Sequence, residues 1–481
     1  MKNNLIPVIL QMRLSMYIGF EEGDKRNPVN FSRRRKWAMT GIVCFSTLVS
    51  ATTASTYNLG LDSMLRDVGG SQLQATIGFS VNALGYAVVP LVTASFSEEF
   101  GRQPLYLGSG IGFLFMYLMI ALAQNIQTVV LARFLQGCFG SSGVTMVGGS
   151  IADIWPPNER GLPMAIFVFS FVGGTGLGPI AAGWVEMNPH LEWRWIQWFQ
   201  MMMCGIYIIL LLFLKETRSA VLLTRIAKKK RKETGDNRYR ARVEDERESL
   251  KHLIYISCTR PIYLLFTEPV VLSFSLWVGF AWGVTFCILT SIPSVFRELH
   301  GFNTGQLGTA YLSILLGSTI GLITNLYQEK LYQRDFAKRG PEARLHTACF
   351  AAVLIPIGMF IYAWSSFPRV HWIVQMIGIT IFMWGMFIIY LGVFSYVADC
   401  YGPYASSGLA GQSLCRNVMA TLFPLFTHRM FRDLGYKWAN SLFGFIALAL
   451  MPIPFILFFY GPAIRRRSKF SRAVMEAQEA S

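Results

Sequence analysis

The chain alternates long apolar stretches with shorter polar segments along almost its whole length. The apolar stretches run for about 18–25 residues, the length that a helix needs to cross roughly 30 Å of hydrocarbon. Runs of this length that are rich in Leu, Met, Ala and Gly favour helices over strands. We therefore predict an all-α membrane protein with twelve transmembrane helices, called spans 1 to 12, at residues 38–57, 73–95, 105–123, 128–151, 163–185, 194–214, 270–292, 304–327, 348–364, 372–397, 407–426 and 439–460.

The layout of the first half of the chain recurs in the second half. Ala152-Asp153 follows span 4 and Ala398-Asp399 follows span 10, with 246 residues between equivalent positions. Each pair comes after a long apolar run and opens a short loop that contains proline. Internal repeats of this kind build transporters in which two bundles rock about a central site. The sequence therefore predicts two pseudo-symmetric six-helix bundles.

The longest polar segment divides the spans six and six. Its basic run, followed by mixed charges, is typical of a solvated linker with some helix. The predicted organisation is a cytoplasmic N-terminal segment at 1–37, an N-terminal six-helix bundle at 38–214, a cytoplasmic linker at 215–268, a C-terminal six-helix bundle at 269–460 and a cytoplasmic tail at 461–481.

Composition and charge are those of a membrane protein. The 481 residues are 53% hydrophobic and carry a net charge of +16, and the mean hydropathy of +0.41 is too high for a soluble protein of this size. With both termini in the cytoplasm, about 34 of the 43 Lys and Arg lie inside and about 7 outside, which is the positive-inside bias. The basic clusters then fix orientation and contact anionic lipid, and nucleic-acid binding is not expected.

Span 4 carries an arginine at membrane depth. Arg133 and Gly137 share a helix face, and a charged side chain in the hydrocarbon zone costs roughly 2.5 kcal/mol or more unless it is paired or hydrated. This cost favours a functional role for Arg133. Because Arg133 lies near the outer end of the span, snorkelling to the membrane surface is the alternative.

Span 5 combines close-packing glycines with a helix-bending proline. Gly174 and Gly178 form a small-xxx-small face, and Pro179 removes a backbone donor. Simple packing would need the glycines but not the proline. We therefore expect a flexible helix at the interface between the bundles.

The loop between spans 2 and 3 contains Glu98, Gly101 and Arg102. An acid–arginine pair in this loop would latch one helix to its neighbour and would have to break when the bundles move, so the loop is a candidate gate. The alternative is an ordinary turn with a surface ion pair worth under about 1 kcal/mol.

Polar and aromatic side chains within the spans are candidates for lining a central cavity. Arg416 is the strongest of them, because its depth in span 11 demands a partner. Aromatic residues near span ends often serve as interface anchors instead. The candidate substrate-binding residues are Thr53, Tyr57, Asn82, Tyr86, Trp277, Trp282, Trp384, Tyr390, Gln412 and Arg416.

Several kinds of chemistry find no support in the sequence. No Asp, Glu or His lies in the middle of a predicted span, so a proton-coupling group stays unassigned. The eight cysteines show no CxxC spacing, which favours buried apolar residues over disulfides or metal ligands. Phosphate-binding, metalloprotease and nucleophile motifs are also missing, so we expect no enzyme, no cofactor and no metal.

These residues, in this order, resemble the major facilitator superfamily, specifically its fungal drug:proton antiporter group with twelve spans, which also contains polyamine carriers and metabolite exporters. The resemblance covers the chain from about Gly23 to Arg472. Its motifs are the segment 24–32, Ser97-Glu98 with Gly101-Arg102, Arg133 to Gly137, Ala152-Asp153 with Arg160-Gly161, Gly178-Pro179 with Gly183, Thr267-Glu268-Pro269, the string 341–345, Pro424-Leu425-Phe426, and Leu434-Gly435 with Trp438-Ala439.

The resemblance implies the major facilitator fold and roles for several residues. The loop between spans 2 and 3 is then a conformational latch, Arg133 takes part in proton transfer or coupling, and the Gly-Pro motif of span 5 is associated with exporters. Ala94 and Gln103 depart from the family's latch motif, where Gly and a basic residue are usual. The candidate coupling and gating residues are Glu98, Gly101, Arg102, Arg133, Gly137, Asp153, Arg160, Gly174, Gly178, Pro179 and Asp399.

The leading hypothesis is a secondary active transporter of the plasma membrane that exports a small organic molecule by alternating access, driven by protons. Intramembrane arginines without a buried acid favour an organic acid or an acidic secondary metabolite. The alternatives are a multidrug or polyamine/proton antiporter of neutral or cationic substrates, a non-transporting sensor and a membrane-embedded enzyme. The expected partners are the substrate, protons and the lipid bilayer, and the expected state is a monomer.

Overall fold

The computed structural model describes residues 16–156, 159–245 and 249–479, and nearly all of them are helical. Each predicted span is observed as one helix or as two helices in series. Their bounds are Arg33–Thr56 for span 1, Gln72–Phe100 for span 2, Arg102–Ala121 for span 3, Ile126–Ile154 for span 4, Gly161–Val172 with Gly174–Glu186 for span 5, Glu192–Leu212 for span 6, Pro269–His300 for span 7, Thr304–Ala310 with Leu312–Arg339 for span 8, His346–Trp364 for span 9, Trp372–Tyr401 for span 10, and Ala405–Leu450 with Pro452–Arg467 for spans 11 and 12.

The predicted fold of twelve crossings in two bundles is confirmed. Nine stretches of the described chain are long and apolar enough to cross a membrane, and two of these, Thr304–Trp364 and Ala405–Arg467, run for 61 and 63 residues. Each of the two holds a pair of crossings, divided at the 3-10 turn Gly340–Leu345 and at Gly435, where φ is 72°. The 29-residue helix Ile126–Ile154, which contains Arg133, is the remaining span.

Six crossings separate the N-terminal segment from the linker, and six more separate the linker from the tail, so all three lie on one face of the protein. We call this face the basic face and the other the distal face. The distal face carries the short helix Leu61–Val68 between spans 1 and 2. The basic face carries the linker helices Ser219–Thr234, Arg242–Asp245 and Leu250–Thr267 and the tail helix Lys469–Glu479.

Two short strands join the N-terminal segment to the linker. Strand β1, Met16–Tyr17, pairs in parallel with strand β2, Tyr239–Arg240. The linker helix Leu250–Thr267 also contacts the membrane helices, since the Oγ atoms of Ser95 and Ser257 lie 2.6 Å apart.

Spans 5 and 8 bring the two bundles into close contact. A Cβ atom on Gly183 would lie only 2.7 Å from the Thr304 carbonyl oxygen and 2.8 Å from the Gly308 Cα. On its other side span 5 packs against span 1, where Cβ atoms on Gly174 and Gly178 would lie 2.9 and 2.8 Å from side-chain atoms. Glycines therefore let span 5 approach one neighbour in each bundle, and Pro179 lies inside this tightly packed segment.

Candidate functional site

A cavity of about 170 Å³ lies between the bundles toward the distal face. Its walls include Asn58 and Asp62 from the N-terminal bundle and Arg297 and His428 from the C-terminal bundle. Two contacts join the walls: Arg297 Nη1 lies 2.5 Å from Asp62 Oδ2, and Asn58 donates to the Leu289 carbonyl oxygen at 3.2 Å. The bundles thus meet at the distal mouth through polar contacts that would have to break for this mouth to widen.

Arg416 lies deeper in the interface between the bundles and is only 4% exposed. Its guanidinium carbon is 5.5 Å from the ring centroid of Phe171, 5.2 Å from that of Trp282 and 4.8 Å from that of Tyr390. Nη2 donates to Ser413 Oγ at 3.2 Å, whereas Nε and Nη1 are buried and have no hydrogen-bond partner among the described residues. We call Phe171, Trp282 and Tyr390 the aromatic cage.

The aromatic cage is shared between the two bundles. Phe171 belongs to span 5, whereas Trp282 and Tyr390 belong to spans 7 and 10. Phe171 stacks on Trp282 with centroids 5.0 Å apart, and Trp282 stacks on Tyr390 at 6.0 Å. Cation–π contact with three rings stabilises the guanidinium electrostatically and leaves the N–H groups of Nε and Nη1 available to a ligand.

Two further donors near the cage also have no partner within the part of the chain that the structure describes. Trp282 Nε1 is buried and unbonded, and so is Nε2 of Gln412, which lies one helical turn before Arg416. A buried polar group without a partner costs about 1–3 kcal/mol, so a cluster of such groups is unusual in a region that serves packing alone. Together with Arg416, these groups form a set of hydrogen-bond donors that is suited to an anion.

Arg133 is 1% exposed and points into the N-terminal bundle. Nη1 donates to the Thr53 carbonyl oxygen at 3.2 Å and to Gln136 Oε1 at 2.7 Å, and Nε donates to the Gly78 carbonyl oxygen at 3.4 Å. The guanidinium carbon lies 4.5 Å from the ring centroid of Tyr57. Snorkelling to the membrane surface is therefore wrong for Arg133, because the neutral groups of its own bundle surround the charge.

Three other predicted residues lie around Arg133. Asn82 donates to the Arg133 carbonyl oxygen at 3.1 Å. Gly137 packs directly against the backbone of Asn82, so it serves close contact between spans 2 and 4. The Tyr86 carbonyl oxygen accepts a hydrogen bond from Asn417 Nδ2 at 3.1 Å, which links span 2 to span 11 in the other bundle.

Two tryptophans that were predicted to bind substrate pack between helices. Trp277 is buried against Phe274 with ring centroids 6.1 Å apart. Trp384 donates from Nε1 to Thr324 Oγ1 at 2.9 Å and packs edge-on against Phe350. The contacts found for these two residues lie within the C-terminal bundle. These contacts favour a role in helix packing over a role in substrate binding.

On the basic face, the loop between spans 2 and 3 is tied to the ends of spans 4 and 6. Gly101 adopts φ 93° to make the turn, a conformation that favours glycine. Arg102 Nε lies 2.6 Å from Asp153 Oδ2, and its backbone N–H donates to Glu216 Oε1 at 3.1 Å. The side chain of the predicted latch residue Glu98 lies outside the described residues. Arg102 and Asp153 are both largely buried, so this is not a simple surface ion pair.

The repeated Asp399 has an equivalent arrangement in the C-terminal bundle. Its Oδ2 accepts from Arg344 Nε at 3.1 Å and from the Tyr332 hydroxyl at 3.1 Å. Arg160 lies between the two networks: burial lowers the pKa of its guanidinium, and the charges of Asp153 and Asp399 oppose that effect. The charge of Arg160 therefore interacts with both repeated aspartates, Asp153 of the N-terminal bundle and Asp399 of the C-terminal bundle.

Sequence reasoning missed several residues that the structure brings to the interface. Phe171 is an ordinary apolar residue of span 5, and no polar neighbour in the sequence marks it as part of a site. Asp62 and Arg297 appear in the sequence as unrelated charges in two short loops. The 235 residues between them leave no local pattern that would predict their contact.

Comparison with known proteins identifies the family. Residues 43–424 match the family model described as Major Facilitator Superfamily. Among solved structures, the proton:xylose symporter XylE has a TM-score of 0.64 and 13% sequence identity, with 89% of this chain and 96% of that chain covered. At this identity the likeness concerns the fold.

Curated relatives are similar over nearly the whole chain. The major facilitator superfamily multidrug transporter mdrA of Aspergillus fumigatus is 36% identical over 457 residues, covering 94% of this chain and 75% of that protein. The efflux pump atB of Aspergillus terreus is 35% identical, covering 94% and 89%. The citrinin biosynthesis cluster MFS transporter mrr1 of Monascus ruber is 33% identical, covering 93% and 91%. The predicted family is confirmed: the chain belongs to the major facilitator superfamily of multi-pass membrane transporters.

Proposed function

We propose that the protein exports a small organic molecule across the plasma membrane by alternating access, in exchange for protons, with its basic face in the cytoplasm. The names of its relatives, which include a multidrug transporter, an efflux pump and a transporter of a biosynthesis cluster, support export. The excess of Lys and Arg on the basic face supports the orientation. The ion pair between the bundles on the distal face and the charge interaction of Arg160 with Asp399 on the basic face support a path that opens to one side at a time.

Within this function we propose that the substrate is an organic acid or an acidic secondary metabolite. The single observation that carries this proposal is Arg416, which is buried between the bundles with two nitrogen atoms that find no hydrogen-bond partner in residues 16–156, 159–245 and 249–479. A carboxylate gains a charge-assisted hydrogen bond from a guanidinium, and such pairs are frequently bidentate. The nearby donors on Trp282 and Gln412 add to the preference for an acceptor.

A multidrug or polyamine antiporter is the second candidate, and the names of the relatives keep it open. A cationic substrate would gain most from a carboxylate in the path. The one charged group described at the cage, Arg416, is instead cationic. Of the carboxylates described above, Asp62 at the distal mouth is paired with Arg297, and Asp153 and Asp399 lie at the basic-face ends of their spans. The geometry therefore favours an acid, and neutral substrates rank next.

Flux through reconstituted vesicles tests the proposal. Radiolabelled weak acids and a neutral drug-like probe are loaded, and their efflux is measured with and without an imposed pH gradient. We expect efflux of the acids to be driven by the gradient, to fall by at least tenfold in Arg416→Gln and to be partly retained in Arg416→Lys. Arg432→Gln is the control, because Arg432 is an exposed residue at the distal end of span 11.

The results separate the candidate functions. Undiminished acid efflux in Arg416→Gln would exclude the acidic substrate while leaving export in place. Efflux of only the neutral probe or of a polyamine would favour the second candidate. Absence of flux for every probe would favour a sensor or a membrane-embedded enzyme over a transporter.

A further inference from the structure

We propose that Phe171 occupies the place of an aromatic ring of the substrate, and that the substrate is therefore a flat aromatic acid. This inference rests on the function proposed above and narrows its substrate class. It starts from the position of the Phe171 ring, which comes from the N-terminal bundle and stacks on Trp282 of the C-terminal bundle with an interplanar angle of 19°.

The stacked contact cannot survive separation of the bundles around the cage. Phe171 lies near the C-terminal end of the helix Gly161–Val172, just before the break at Gly173 that divides span 5. When the bundles move apart at this depth, the ring leaves Trp282 and uncovers one face of the indole. An aromatic ring of the substrate would restore the same stacking contact, because offset stacking does not depend on which ring supplies it.

The position of Arg416 fixes where the acidic group of such a ligand would lie. The guanidinium carbon is 5.5 Å from the centroid of the Phe171 ring. A ring in this place that carries a carboxylate or an ionised hydroxyl on the side facing Arg416 would direct oxygen toward Nε and Nη1, for which the described chain supplies no acceptor. Trp282 Nε1, beside the same ring, is a further donor that no described residue satisfies. The site thus combines a flat apolar slot with donors at its edge.

Binding to purified full-length protein in lipid nanodiscs tests this assignment. The probes are 2-naphthoate, its saturated analogue decalin-2-carboxylate and its neutral analogue 2-naphthamide, with empty nanodiscs as the blank. We expect 2-naphthoate to bind more tightly than either analogue. Trp282→Leu weakens binding of 2-naphthoate more than that of decalin-2-carboxylate, because both probes lose the indole N–H donor and only the aromatic probe also loses a stacking partner.

The variant Phe171→Ala tests whether the Phe171 ring occupies the position that the aromatic ring of the substrate would take. Without the competing ring, 2-naphthoate binds more tightly by about 2- to 13-fold, the range for one stacked aromatic contact. Phe171→Leu keeps apolar volume without a ring, and we expect it to raise the affinity for 2-naphthoate as well. This second variant tests the assignment even if Phe171→Ala fails to fold. Phe167→Ala is the matched control, because Phe167 lies one turn earlier on the same helix and contacts Phe394 of the other bundle at 6.5 Å.

The outcomes decide between this inference and the function on which it rests. Weaker or unchanged binding of 2-naphthoate in both Phe171 variants, equal tightening in Phe167→Ala, or no preference for 2-naphthoate in the wild-type protein would each overturn the assignment of Phe171. If the assignment holds but vesicles show no flux of any probe, the transport function fails and the aromatic-acid site remains. If acid flux is present but the Phe171 variants bind like the wild type, export stands and the narrower substrate class is wrong.

Discussion

The ion pair between Asp62 and Arg297 offers a test of how the distal face is held closed. The two side chains come from different bundles and lie 2.5 Å apart at the mouth of the cavity, with exposed fractions of 62% and 46%. Because the pair exists only while the bundles meet on this face, Asp62→Asn removes an interaction present in one conformational state and not in the other. The substitution therefore shifts the population toward the open distal face.

The magnitude follows from the exposure of the pair. Exposed ion pairs contribute about 0.2–1 kcal/mol, which corresponds to about a 1.4- to 5-fold change in the equilibrium between closed and open states. The assay is the alkylation rate of a cysteine introduced at Ser294, which lines the cavity, by a membrane-impermeant maleimide. The same labelling without the Ser294→Cys substitution subtracts any signal from native cysteines. We expect the rate in Asp62→Asn to rise by the same 1.4- to 5-fold.

A charge exchange and a matched control make the result specific. Asp62→Arg alone raises the rate further because it adds repulsion, and Asp62→Arg combined with Arg297→Asp returns it toward the wild-type value. Glu192→Gln is the control, because Glu192 pairs at 3.3 Å with Arg66 on the same short helix as Asp62 but within the N-terminal bundle. An equal rise in Glu192→Gln, or no recovery in the exchanged pair, would refute a latch between the bundles.

Three other outcomes are expected. Gly183→Ala slows export at least tenfold while the protein still folds, because the new Cβ atom would press on the backbone of span 8. Gly205→Ala is the control and leaves flux unchanged, because no described atom lies within 4 Å of the position of its Cβ. Asp153→Asn lowers the midpoint of thermal unfolding, since it leaves the largely buried Arg102 without its charge partner, a loss of about 3 kcal/mol for such pairs. Trp384→Phe reduces stability by the loss of one hydrogen bond, about 1 kcal/mol, and leaves the selectivity between acids and neutral probes unchanged in vesicle flux.

The fold was predictable because membrane crossings leave a strong local signal. Each span is an uninterrupted apolar run, and the repeated Ala-Asp pairs mark equivalent ends of spans 4 and 10. In the structure each aspartate bonds an arginine from a preceding loop, Arg102 for Asp153 and Arg344 for Asp399. A local repeat in the sequence therefore corresponds to a repeated contact in three dimensions.

The site was less predictable because it forms from distant parts of the chain. The depth of Arg416 was visible as a charge within an apolar run, whereas its aromatic surroundings depend on how spans 5, 7 and 10 converge. A charged residue stands out in an apolar run because it needs a partner. An apolar residue such as Phe171 does not stand out there, although its ring contacts the charge. For the same reason Trp384 was a reasonable candidate, although its contacts lie between helices of its own bundle.

Alternating access around a path between the bundles is tested most directly by two distances measured in the same reconstituted protein. Spin labels at Arg66 and Glu298 report the distal face. Labels at Leu162 and Tyr327, which are exposed at spans 5 and 8, report the basic face. We expect the addition of a transported acid or a change of pH to lengthen one distance and shorten the other. Two distances that stay fixed during measured transport, or that lengthen together, would contradict alternating access.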